Sequence, residues 1–135
     1  MAKYFEPEDL TYEYYAKLAQ RAVDCPLWRW LPGMAANNGR RVTDLDDNGE
    51  SVGHIPGANT LFGRGSEVIP DLSDPATYGC LVALVRSAWG PNMYASAEGG
   101  WHIRGAYKNG KSINLGIYAR TEIEALVLAL EAAAL

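Results

Sequence analysis

The sequence has no surplus of positive charge. Its 12 Lys and Arg stand against 16 Asp and Glu, a formal net charge of −4 over 135 residues. General nucleic-acid binding draws its affinity from cations that neutralise phosphates, so this balance speaks against it. Nor is there a long hydrophobic run. Uninterrupted apolar stretches such as Ala125 to Leu130 fall far short of the roughly 20 residues that span a bilayer. The opening Met1-Ala2-Lys3-Tyr4-Phe5-Glu6 meets an acid at once and offers no apolar core for a signal peptide. No membrane partner and a cytoplasmic location are the expectations.

Cysteine and histidine are scarce as well, with two of each. Cys25 precedes Pro26 at a helix end and Cys80 sits in an apolar helical pattern, where a buried thiol is expected. In a reducing compartment both should be free. His54 and His102 have no second His or Cys at ligand spacing, so neither a zinc site nor any other metal or cofactor is expected. None of the serines lies in a Gly-x-Ser-x-Gly turn. No catalytic constellation emerges, and the chain reads as a non-enzyme.

What is present suffices for a core. The chain is 48% hydrophobic, with four Trp and eight Tyr, and a chain of this length buries roughly two-thirds of its unfolded surface. One domain over residues 1–135 is expected. Leu10, Tyr14, Leu18 and Ala22 recur at helical spacing and predict a first helix over 8–24, ended by Pro26. Between Pro26 and Pro32, Leu27, Trp28, Arg29, Trp30 and Leu31 form a bulky plug expected to pack against a sheet. Asn38-Gly39 and Asn48-Gly49 suit tight turns and predict a meander with strands near 33–37, 40–46 and 50–55. Residues 56–72 read as a long loop. Asp74 as N-cap and Pro75 at the first position announce a second helix with Cys80, Leu81, Leu84, Val85 and Ala88 inward; Gly90-Pro91 ends it. A second meander follows, near 92–97, 100–107 and 112–119, with turns at Glu98-Gly99-Gly100 and Asn109-Gly110. Trp101 and Ile103 should share one face, with Gly105 a further candidate, opposite His102, Arg104 and Ala106. Thr121 and Glu124 make a capping box for a third helix. The expected fold is α+β: two three-stranded antiparallel meanders with three helices packed on them.

Two motifs come close to known chemistry and stop short. Asp44-Leu45-Asp46-Asp47-Asn48-Gly49 matches the first half of a calcium loop. The twelfth position, however, is Ile55 where a bidentate Glu is needed, and the flanks read as strands. A solvated acidic hairpin tip is the better reading. Gly63-Arg64-Gly65-Ser66 lacks the Lys and the strand-to-helix setting of a phosphate cradle. Arg104, Lys108, Lys111 and Arg120 make the second meander locally basic.

Three segments carry a resemblance: Cys25 to Met34, Pro70 to Leu81 and Thr121 to Leu126. Over roughly residues 24–133 the chain resembles small phage and prophage proteins, some grouped as phage ABA-sandwich domains, α+β units without an assigned activity. The resemblance implies a phage accessory product working in a bacterial cytoplasm, and it carries over no functional residues.

Two functions are then open. The first is non-enzymatic binding to a host protein or complex, including a defence component such as a CRISPR–Cas complex, with Asp44, Asp46, Asp47 and Glu50 as an acidic contact patch. The second is a small-ligand or nucleotide binder using the 56–72 loop, with Trp28, Trp30 and Trp101 for stacking and Arg64 and Arg104 for an anion. Self-association through an edge strand of the second meander also stays open.

Overall fold

The computed structural model describes residues 12–37, 41–45, 51–55, 58–61 and 69–135. Their elements are α1 (Tyr12–Asp24), β1 (Arg41–Leu45), β2 (Ser51–Ile55), β3 (Ala58–Leu61), α2 (Pro75–Trp89), β4 (Tyr94–Ala97), β5 (Trp101–Arg104), β6 (Tyr107–Lys108), β7 (Lys111–Ser112) and α3 (Glu122–Ala133). The fold is α+β with three helices and small antiparallel sheets.

α3 is the centre of the helical layer. Its middle, Ala125 to Leu130, is apolar all round, and Ala125, Leu126, Val127, Ala129 and Leu130 are buried, as a helix covered on several sides requires. α1 lies against it in the same direction. At their starts the Tyr14 hydroxyl reaches Thr121 Oγ1 at 2.8 Å and donates to Glu124 Oε2 at 2.6 Å. At their ends Arg21 grips Glu131 with two nitrogens, at 2.5 and 3.2 Å. α2 also runs parallel to α3: the Tyr78 hydroxyl donates to Glu122 near the start, and Trp89 Nε1 donates to the Ala129 carbonyl at 2.8 Å near the end. Three parallel helices need return paths, and the β segments supply them.

The expected boundaries of α2 and α3 hold. Asp74 caps α2, its carboxylate accepting from Thr77 N. Thr121 caps α3, its hydroxyl accepting from Glu124 N at 3.1 Å. The reciprocal arm of the capping box is displaced by one residue, since Glu124 Oε1 accepts from Arg120 N at 3.4 Å while Oε2 takes the Tyr14 hydroxyl. α1 ends at Asp24 ahead of Pro26; the expected residues 8–11 lie outside those described.

The strands depart further from expectation. β1, β2 and β3 form an antiparallel sheet in that order, with a register shift between Val42 and Asp44. Its third member is Ala58–Leu61, inside the stretch expected as loop, and not 33–37. Residues 33–37 instead bridge two segments. Gly33 N donates to Val42 O and Val42 N to Met34 O, while Asn37 N donates to Ile69 O and Asp71 N to Ala35 O. The second expected meander is a hairpin, β4–β5, beside a two-residue hairpin, β6–β7. Residues 113–118 form no strand, because Gly116 sits at φ +65° and its N–H turns back to the Asn114 side chain at 2.9 Å. Only Ala119 rejoins the sheet, bridging Trp101. Gly105 is likewise not part of the β5 face, since at φ +74° it ends that strand.

Trp28 and Trp30 are buried and pack edge to face, with centroids 5.5 Å apart. The two tryptophans of the plug are therefore core, while Leu27 and Arg29 are exposed. Cys25 is the buried thiol; Cys80 is only half-buried, its thiol turned to the Pro32 carbonyl at 3.5 Å, and both are free.

One carboxylate joins three of these parts. Asp74 accepts from both terminal nitrogens of Arg41 at 3.0 Å, from Thr77 N and from Thr77 Oγ1. Thr77, fully buried, accepts in turn from Ala35 N at 2.8 Å. The Arg41 guanidinium also donates to Gly33 O at 2.6 Å. Donation from Arg41 holds the Asp74 carboxyl well below the usual carboxylate range; partial burial opposes this and the Thr77 donors reinforce it.

Asp74→Ala should lose about 1–2 kcal/mol from the cap alone. Because the folded carboxyl is lowered, its contribution is present above the unfolded value near 4 and fades as the pH falls below it. Urea melts from pH 6 to pH 2 should therefore show the gap between wild type and Asp74→Ala narrowing with acid; a constant gap would contradict the network.

The tyrosine ties behave oppositely. Burial, then the bond to Glu122, pushes Tyr78 up to about 12, and burial with Glu124 raises Tyr14 further. Their contributions hold below pH 10 and are lost as the pH climbs towards those raised values. Tyr14→Phe should cost about 1 kcal/mol at pH 7, and the variant should lose less stability than wild type between pH 10 and 12, read by chemical denaturation.

Candidate protein-binding face

The β4–β5 hairpin turns through Gly99 at φ +67° and Gly100 at φ +120°, conformations that glycine adopts without a Cβ penalty. The turn sets the register: Tyr94 opposite Arg104, Ala95 opposite Ile103, Ser96 opposite His102 and Ala97 opposite Trp101. Directly paired residues share a face, and side chains alternate along each strand. Ala95, Ala97, Trp101 and Ile103 therefore lie on one side. Ile103 is buried and Trp101 half-buried in the core that α3 centres. Tyr94, Ser96, His102 and Arg104 lie on the other, towards solvent.

Two further residues complete that outer face. Glu98 Oε2 accepts from Arg104 Nη2 at 3.2 Å, and the Tyr118 ring lies 5.7 Å from His102, centroid to centroid. Tyr94 is 51% and Tyr118 74% exposed, a large aromatic area left in water. Arg104 Nε donates to His102 Nε2 at 3.0 Å, which assigns the proton of a neutral ring to Nδ1. Nδ1 is buried without a partner.

The residues singled out from the sequence are dispersed. Trp101 and Arg104 occupy opposite faces of β5. Trp28 and Trp30 are core and pack on each other, and Trp28 Nε1 is buried without an acceptor. Asp44 lies on β1. Asp46, Asp47, Glu50 and Arg64 fall outside the described residues. Neither of two clefts found among the described residues is lined by Trp28, Trp30, Trp101 or Arg104. The larger, about 460 Å³, lies where the three helices end and is edged by Arg29 and Lys108. Cations there offset the partial negative charge of helix C-termini, and Lys108 also sits over the Trp89 ring at 5.5 Å.

The basic residues of the second hairpin region do not converge. Arg104 pairs with Glu98, and Arg120 lies over Tyr14 and beside Glu124. No group of three or more His, Cys, Asp or Glu among the described residues is placed to hold a metal ion, and no helix among them is long and apolar enough to cross a membrane. Tyr94, His102 and Tyr118 were not singled out from the sequence for this role. The register implied by Glu98-Gly99-Gly100 was the available signal for the first two, whereas Tyr118 depends on the Trp101–Ala119 bridge. No family model matches the chain, and no curated protein or solved structure matches it either.

Gly105 delivers the chain out of this face. A Cβ there would stand 2.4 Å from the Asn92 carbonyl oxygen, at a φ of +74°. Gly105→Ala should cost about 2–3 kcal/mol, measured by urea unfolding, while Gly110→Ala, whose Cβ meets nothing within 4 Å, should cost less.

Proposed function

We propose that this chain is a phage accessory protein that binds a bacterial host protein without catalysis, using the outer face of the β4–β5 hairpin. The observation carrying this reading is the cluster of Tyr94, Arg104 and half-buried His102 on one regular hairpin, joined by the exposed Tyr118 beside His102. Tyr and Arg dominate binding energy at protein interfaces because they combine large contact area with polar reach. Strand pairing already fixes the backbone that carries Tyr94, His102 and Arg104, so that part of the face sacrifices little backbone freedom on docking. The phage-like segments supply the host setting, and a component of host defence is the partner class in this reading. Asp44, Asp46, Asp47 and Glu50 form its second contact element, suited to a basic groove on the partner.

The test is affinity purification of the tagged chain from bacterial lysate beside the Arg104→Glu/Tyr118→Ala double variant. Both changes are on exposed side chains, so circular dichroism and melting should match wild type. Wild type should recover a stoichiometric protein, and the double variant about tenfold less. Equal recovery, no stoichiometric protein, or nucleic acid in its place would contradict the proposal.

A further inference from the structure

Among the described residues β4 is paired on one side only, and the hydrogen bonds say which of its groups face away from β5. Trp101 N donates to Ala119 O at 2.9 Å and Ala119 N to Trp101 O at 2.7 Å. In an antiparallel ladder a residue's N–H and C=O point the same way. At Trp101 both therefore point away from β4, and its pair with Ala97 is a non-hydrogen-bonded one. The N–H and C=O of Ala97 consequently face the other way, off the sheet. Alternation does the same at Ala95, while Tyr94 and Ser96 turn inward to β5. The next pair agrees, with Glu98 N bonded to Gly100 O at 3.0 Å.

Apart from its shortness, β4 carries none of the devices that keep such an edge from pairing. Tyr-Ala-Ser-Ala has no charge and no proline, and its pairing with β5 runs without a bulge. No further strand pairs with β4 among the described residues.

We propose that β4 pairs antiparallel with β4 of a second copy of this chain, about a two-fold axis at Ser96. With outward groups at 95 and 97, the ladder closes when Ala95 of one copy faces Ala97 of the other, each donating and accepting. Ser96 then opposes Ser96 in a non-hydrogen-bonded pair, and Tyr94 opposes Glu98. This register is self-complementary: small alanines meet on the α3 side, hydroxyls meet on the axis, and no like charges are opposed. The product is one sheet in the order β5-β4-β4-β5 that carries two outer faces side by side. It does not rest on the host-protein reading, and its test uses the purified chain alone.

Sedimentation velocity should show wild type as a dimer at about 100 μM, a weak association suited to so short an edge. Ser96→Lys and Ser96→Glu each place like charges opposite one another on the axis. Each should be a monomer with wild-type melting, and mixing the two should restore a dimer. Ser96→Cys should form an intermolecular disulfide on mild oxidation, because opposed residues of a non-hydrogen-bonded pair bring their Cα atoms within about 4.5 Å; wild type, with Cys25 buried and Cys80 half-buried, should not. A monomeric wild type, a dimer indifferent to Ser96→Lys, a mixture that stays monomeric, or Ser96→Cys cross-linking no more than wild type would overturn the proposal.

Discussion

The Asp74 carboxylate is the constraint on which the packing of the first half depends. It closes the first turn of α2, binds the guanidinium at the start of β1, and accepts the Thr77 hydroxyl whose oxygen in turn holds the Ala35 amide. The 33–37 segment has no regular strand of its own. It is held between β1 and residues 69–71 by backbone bonds, and from α2 by Thr77. Buried amides need acceptors, and here one largely shielded anion orients the Thr77 hydroxyl whose oxygen accepts from Ala35 N. Arg41 serves the same cluster by spanning from Asp74 to the Gly33 carbonyl.

Parallel helices explain the rest of the plan. α1 and α2 both run with α3, tied at their starts by tyrosine hydroxyls and at their ends by Arg21 and Trp89. Each connection must therefore travel back the length of a helix. After α2 that return includes the β4–β5 hairpin, which lays Ile103 in the core centred on α3 and leaves its other face in water. Tyr94, His102 and Arg104 follow from this plan: alternation along strands whose inner face is committed to a helix sends the opposite set outward, and the Ala119 bridge brings Tyr118 beside them.

The helices were legible where the sequence carries end signals. Asp74-Pro75 and Thr121 fix helix starts through side-chain oxygens acting on local amides, an interaction confined to a few residues. The strands were less so. Ile113, Leu115 and Ile117 alternate as a strand should, yet Gly116 takes positive φ and breaks the ladder, so alternation there reflects half-burial without pairing. Ala58–Leu61 pairs with β2 although its Pro-Gly and glycine-rich flanks suggest loop, because a neighbouring strand can recruit a segment of modest propensity. The tryptophans show the same limit from another side. Their chemistry suits stacking on a ligand or on each other, and only the packing that buries Trp28 against Trp30 decides between them. Arg104 was visible as a surface cation, but its neighbours on the face come from cross-strand register and from the distant Ala119 bridge.

The central claim is that the outer hairpin face is where this chain meets its partner. Hydroxyl-radical footprinting of the chain, alone and in the complex recovered from bacterial lysate, tests it most directly, because Tyr and His side chains report their own solvent access. Tyr94, His102 and Tyr118 should lose reactivity in the complex while Tyr12, 72% exposed on α1, keeps it. Unchanged reactivity at the hairpin, with protection confined to Tyr12 or to other surfaces, would contradict the account.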